Sequence, residues 1–175
     1  MTALNRTPSN TNFLQPSKFI LAFNRLPTVQ YFCQEANLPG VSVGGSEFNT
    51  PFADVPIAGN KISYGDFNVS FLVDEEIQSW SELYKWMLAI AAPTNLQDRA
   101  RYNQEQNQNT IKASYYSDST LTIMSALNNP LVRINFHRMY PVSLSDIRFD
   151  TQQSADTIIT ATATFRYEYF DITSA

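Results

Sequence analysis

One histidine, one cysteine and five glycines stand in this chain of 175 residues, and each scarcity removes a class of function. A lone cysteine cannot close a disulfide within the chain, so nothing points to an oxidising compartment. Cys33, within Val29–Gln34, is expected to be a passive strand position, since free cysteine behaves as a small buried hydrophobe. His137 has no local partners from which a Ser-His-Asp or Cys-His set, or a zinc site, can be assembled. It is expected to be an exposed strand residue. Gly44-Gly45 lacks the strand-to-helix setting and the lysine of a phosphate loop. Neither catalysis nor a metal or cofactor is expected.

Charge is also sparse. Charged residues make up 16% of the chain, against about a quarter in typical soluble domains. The net charge of −4 and a pI near 4.9 speak against a grip on phosphate backbones, which rests on Lys and Arg. The Arg99-Ala100-Arg101 pair sits between Asp98 and Glu105, as a solvated loop does. No apolar run suits a signal peptide or a membrane span. The expectation is a protein made in the cytosol, with no membrane partner.

What the chain does have is aromatic residues, 12 Phe and 9 Tyr, which suit strands and interfaces. From Thr157 to Phe170 the residues alternate strictly. Ile159, Ala161, Ala163, Phe165, Tyr167 and Tyr169 fall on one face; Thr160, Thr162, Thr164, Arg166 and Glu168 fall on the other. That pattern predicts one long strand of an antiparallel sheet or barrel wall, buried on one side.

Residues 1–17 are polar and aperiodic and read as an N-terminal arm, with Phe13-Leu14 as its anchor; residues 18–175 read as one β domain. Lys18–Phe23 and Thr28–Gln34 read as a strand hairpin turning at Asn24–Pro27. Pro39-Gly40 marks a turn, and Val43–Ser63 reads as a long loop whose Phe48, Phe52, Val55 and Ile57 pack on something. Phe67, Val69, Phe71 and Val73 share the inner face of a strand. Asp74-Glu75-Glu76 ends it and opens a helix, where acids meet free N–H groups and the positive end of the dipole. Ile77, Trp80, Tyr84, Met87, Leu88 and Ala91 recur at helical spacing, so they are the expected buried face, and Pro93 closes the helix. The Asn- and Gln-rich run from Thr94 to Asn109 reads as an exposed loop. Leu121–Met124 and Leu131–Met139 follow as strands, the second with Val132, Ile134 and Phe136 inward and stopped by Pro141.

In this order the elements resemble the tail tube proteins of contractile-tailed bacteriophages. The resemblance rests on Leu38-Pro39-Gly40, the Ala58-Gly59-Asn60 turn, the aromatic strand ending at Asp74-Glu75, the Trp80/Trp86 helix, and Tyr140-Pro141 before the last strand. It spans Lys18 to Phe170. It implies a mainly β fold, an antiparallel β-sandwich or small barrel flanked by one amphipathic helix. It further implies hexameric rings stacked into a tube through which DNA passes without specific binding, in a virion tail assembled in the host cytoplasm. Implied partners are further copies of the chain, tail sheath and baseplate proteins. Candidate subunit contacts are Phe13, Leu14, Phe48, Phe52 and Val55, and the candidate lumen face is Thr160, Thr162 and Thr164. The same fold also suits a baseplate tube initiator, a tail terminator or a bacterial secretion-tube protein. A monomeric ligand-binding barrel is the reading from a different class.

Overall fold

Phe67, Val69 and Phe71 are fully buried while Asn68 between them is exposed, which is the pleat of a strand with one face in the core. A computed structural model describes residues 12–91, 97, 115–152, 154 and 157–174. The elements are β1 (Phe19–Phe23), α1 (Pro27–Phe32), β2 (Cys33–Ala36), β3 (Val41–Asn49), β4 (Asp54–Tyr64), β5 (Phe67–Leu72), α2 (Gln78–Ala91), β6 (Ser117–Met124), β7 (Pro130–Leu144), β8 (Thr160–Arg166) and β9 (Tyr169–Ser174). The fold is mainly β and antiparallel, as expected, with a second, short helix added to the one foreseen. The 94–109 loop lies, apart from Gln97, outside the described residues, as do residues 1–11 of the arm.

Two sheets share one long strand. The first runs β1-β6-β7-β9 and the second β2-β5-β8-β7. β7 passes between them because Arg138, at φ 54°, turns it. A positive φ in a bulky residue needs support. Here Asp118 Oδ1 accepts from the Arg138 backbone N–H at 2.9 Å, and the Arg138 guanidinium lies 4.7 Å over the Tyr116 ring and 3.1 Å from Glu168. Pro141 therefore does not stop the strand; it sits beside a register shift, where a missing N–H is tolerated.

Between the sheets lie Leu21, Phe23, Phe67, Val69, Phe71, Leu121, Ile134, Phe136, Met139, Ala161, Ala163 and Phe165. The last strand keeps its expected inner face from Ala161 to Phe165, then breaks at Tyr167-Glu168. β9 crosses to pair with the early half of β7, Phe170 opposite Phe136 and Tyr169 opposite His137. After this break Phe170 turns toward the core and Tyr169 outward, reversing the parity that one continuous strand would have kept.

Thr28–Gln34 is not a strand. Pro27 occupies the start of α1, where its fixed φ suits a helix and its missing N–H costs nothing. Leu26 and Val29, one helical step apart, are buried and Phe32 packs behind them. The chain returns as β2, which pairs with β5 rather than with β1. Helix α2 also turns another side inward than expected. Ser79, Leu83, Trp86 and Ala89 are buried, whereas Ile77 and Tyr84 are exposed. The rotation is set at its start. Asp74 accepts from the backbone N–H groups of Gln78 (2.9 Å) and Ser79 (2.8 Å) and from the Ser79 hydroxyl (2.7 Å). The acidic opening was foreseen, and its effect is to draw Ser79 inward. Trp86 donates to the Tyr115 carbonyl at 3.2 Å, with Arg25 lying 5.1 Å over its ring.

Candidate assembly surfaces

The segment read as a loop from Val43 to Ser63 is a hairpin of its own. Among the described residues β3 and β4 pair only with each other, from Val41 opposite Tyr64 to Asn49 opposite Asp54, and nearly every residue is exposed. The chain reverses at Thr50–Ala53, where Thr50 N–H donates to the Ala53 carbonyl at 3.2 Å. Ala58-Gly59-Asn60 is thus strand, not turn. Gly59 lies in β4 across from a register shift at Gly44. At the root of the hairpin, Tyr64 packs on Tyr167 and Phe170, with ring centroids 5.8 and 5.4 Å away.

Phe48 and Val55 face each other across the two strands, and Phe52 at the tip is 99% exposed. Among the described residues the hairpin's apolar side chains are left exposed. Val41, Val43, Ile57 and Ile62 are exposed on the hairpin as well; of these, sequence reading had singled out only Ile57. Phe13 (96% exposed) and Leu14 lie at another place, beside Met124, Ala126 and Leu131. The candidate contacts thus form two patches, one rooted at Tyr167 and Phe170 and one beside Met124.

Thr160 and Thr162 are exposed and Thr164 half-buried on the outer face of β8. The Thr164 hydroxyl donates to Asn68 Oδ1 at 2.8 Å, Ser70 and Thr162 lie 3.2 Å apart, and Arg166 meets Asp66 at 3.1 Å. This face is a carpet of short polar groups satisfied by one another. The outer face of the other sheet carries a second such chain. Thr120 donates to Asn135 at 3.1 Å, Asn135 donates to Asp171 at 3.0 Å, and Asp171 meets His137 Nε2, whose ring stacks on Tyr169 at 4.6 Å. Hydrogen bonds from Asn135 first, then His137, hold the Asp171 carboxyl below the usual carboxylate range. His137, expected free on the surface, is therefore tied to β9. Among the described residues no cluster of His, Cys, Asp and Glu has the makings of a metal site.

Unpaired strand edges are a further feature, those of the β1-β6-β7-β9 sheet among them. Among the described residues β1 pairs only with β6, and β9 only with β7, so the β1-β6-β7-β9 sheet is open at both sides there. Sequence reading missed these edges because pairing is a long-range property.

An antiparallel sandwich with a projecting apolar hairpin and, among the described residues, open sheet edges has the architecture of a tail-tube-like structural module. Residues 7–173 match the phage tail tube protein family, and the chain belongs to it. It is 27% identical over 170 residues to the tail tube terminator protein of Enterobacteria phage T4, covering 92% of this chain and 89% of that one. Among solved structures, the tube terminating cap of the anti-feeding prophage superposes with a TM-score of 0.66 at 15% identity, over 100% of both chains. The PVC extracellular contractile injection system sheath/tube terminator gives 0.62 at 14% identity, over 94% of this chain and 99% of that one. These structures share its fold. The chain is accordingly a structural phage tail component of the tube-like kind, and its family is not one of enzymes.

Proposed function

We propose that this protein is a tail tube terminator, a ring that closes the end of a contractile tail tube, rather than the repeating tube subunit. The observation that carries this reading is the likeness to a curated terminator along nearly the whole of both chains. The open edges supply the means. Along β1-β6-β7-β9 the strand direction alternates, and the number of strands is even. A copy related by rotation about a ring axis therefore brings its β9 antiparallel to the next copy's β1. Such a head-to-tail contact closes into a ring when the rotation closes, six copies in the ring that the resemblance implies, and it leaves no exposed edge.

In that ring the outer face of the joined sheet, with Thr120, Thr122 and Asn135, lines the channel. Thr160, Thr162 and Thr164 belong to the other sheet and face away from it. Heavy-atom labels on Thr122→Cys and Thr162→Cys report which face meets the channel. Polar groups already bonded to one another offer phosphates little to hold, so DNA passes without specific binding. The hairpin with Phe48, Phe52 and Val55, and the arm with Phe13 and Leu14, then meet the last tube ring and the sheath.

Light scattering and negative-stain images of the purified protein, alone and added to growing tubes of the tube protein from the same phage, test the reading. A terminator forms single rings and halts elongation. Many-layered tubes built from this chain alone would make it the tube subunit instead. A monomer that neither forms rings nor stops tubes would sink both.

A further inference from the structure

Arg133 stands on the outer face of the β1-β6-β7-β9 sheet, apart from the polar groups there that bond to one another. Ile20, Thr122, Arg133 and Thr173 form one row across the four strands, each opposite the next. The row turns away from the core, because Leu21, Leu121 and Ile134, one residue along each strand, are buried. Arg133 is exposed on the inner strand β7. Thr122 and Thr173 flank it with short side chains, so the guanidinium overtops them. The carboxylate of the adjacent row, Asp171, is committed to Asn135 and His137. Among the described residues the ion pairs join His137 to Asp171, Arg138 to Glu168 and Arg166 to Asp66, and none takes up Arg133.

Charge is graded along this face. Lys18 shares the outward side with Ile20, and its ammonium donates to the Ala126 carbonyl at 3.3 Å and to the Asn128 side chain, both between β6 and β7. Asp118 and Asp171 lie nearer the Arg138 turn. The end with Lys18 and Arg133 is thus cationic and the other end anionic. Resting on the ring reading above, we infer that Arg133 of successive copies forms a cationic belt in the channel that holds duplex DNA by its phosphates. Rotation about the ring axis repeats Arg133 at one height, so one charge per copy becomes a closed circle, an arrangement that favours anions in a pore. The guanidinium meets phosphate oxygens with a fixed fork of donors. A chain of net charge −4 repels DNA elsewhere on its surface, which confines the hold to the belt. Phosphates carry no sequence information, so the belt detains DNA at the end of the tube without selecting it.

Fluorescence anisotropy of a labelled short duplex mixed with purified rings, at low and at moderate salt, tests the belt. Parent rings are expected to bind, with an affinity that falls as salt rises because bound phosphates shed their counterions. Arg133→Gln is expected to weaken binding about tenfold or more and to flatten the salt dependence. Arg133→Lys keeps the charge and should retain most of the binding. Lys61→Gln, the same charge lost from the exposed hairpin, should match the parent. Parent rings that ignore the duplex, or Arg133→Gln rings that bind it equally, would overturn the belt and leave the ring reading standing. A loss in Arg133→Lys as deep as in Arg133→Gln would refute charge as the cause. Tighter binding of a polyglutamate peptide than of the duplex would assign Arg133 to an acidic protein segment and sink the DNA assignment. Absence of rings from the parent protein would overturn both the belt and the ring reading.

Discussion

A β-carbon added to Gly59 would lie 2.4 Å from the carbonyl oxygen of Gly44, so the two strands of the projecting hairpin approach there at a separation only glycine permits. The close approach sets the register shift between β3 and β4 and with it the way the hairpin tip is presented. Gly59→Ala is expected to displace the tip while leaving the core alone, because β3 and β4 pair with no other described strand. Thermal unfolding should move by no more than a few degrees, as about 1 kcal/mol does in a domain this size. Limited proteolysis within residues 41–64 should quicken several-fold. An unchanged cleavage pattern would show that the approach is not a constraint.

Phe136 is the hub of the core, with Phe67 at 4.6 Å, Tyr167 at 5.0 Å and Phe170 at 5.8 Å, ring to ring. It stands where β7 still carries both β6 and β9, so a cavity there loosens two strands at once. Phe136→Ala is expected to cost about 3–5 kcal/mol in denaturant unfolding. A loss below about 1 kcal/mol would contradict this packing.

Asp171 ties stability to acid pH. Its folded pKa is depressed by the hydrogen bonds from Asn135 and His137, with burial opposing weakly. A depressed carboxylate contributes stability that is present above its unfolded pKa and lost as pH falls through the folded one. Asp74 has the same sign: burial would raise it, and the hydrogen bonds of Ser79 and Gln78 outweigh that. Melting temperatures of the parent and Asp171→Asn should therefore differ at neutral pH and converge from about pH 5 downward. The gap is modest, since solvent screens a group this exposed. A gap constant across the range would exclude the linkage.

These features differ in how far local sequence betrays them. β5 and the first part of β8 were legible because Phe67-Val69-Phe71 and Ala161-Ala163-Phe165 alternate against polar neighbours, and burial on one face is what writes that pattern. The Asp74 helix start was legible through its chemistry. The side α2 buries was not, since aromatic residues lie on more than one side and Asp74 turns Ser79 inward. α1 was hidden by its β-favouring Val29, Tyr31 and Phe32, against which the signal was Pro27 in first position. The hairpin was hidden because it is exposed on both faces and its glycines and prolines mimic turns. Apolar content alone nonetheless singled out Phe48, Phe52 and Val55, which the structure leaves exposed. The open edges of β1 and β9 leave no trace in local sequence, because an unpaired edge is defined by a strand that is absent.

Cys33 should be a poor nucleophile. Burial pushes its thiol up to about 11, partly offset by the contact with the Glu35 backbone. At pH 8 almost none is thiolate, so a disulfide reagent should label the native protein far more slowly than the unfolded chain. Equal rates in the two states would show that the site is open to solvent.

The exposed hairpin supplies the sharpest test of how the protein meets the tube. Phe52 is 99% exposed, so its substitution removes little contact with the described residues, and Phe48 at 61% exposure has little beyond Val55 across the strand. Phe48→Asp and Phe52→Asp are therefore expected to fold as the parent does, with stability within about 0.5 kcal/mol, as surface changes usually are. Their cost falls on docking, where a carboxylate would be driven into an apolar contact without a partner. Since ring closure is proposed to run through β1 and β9, both variants should still form rings by light scattering yet fail to arrest tube growth. Arrest at the parent's concentration would place the docking surface elsewhere. Loss of the rings themselves would move the hairpin into the contact between neighbouring copies.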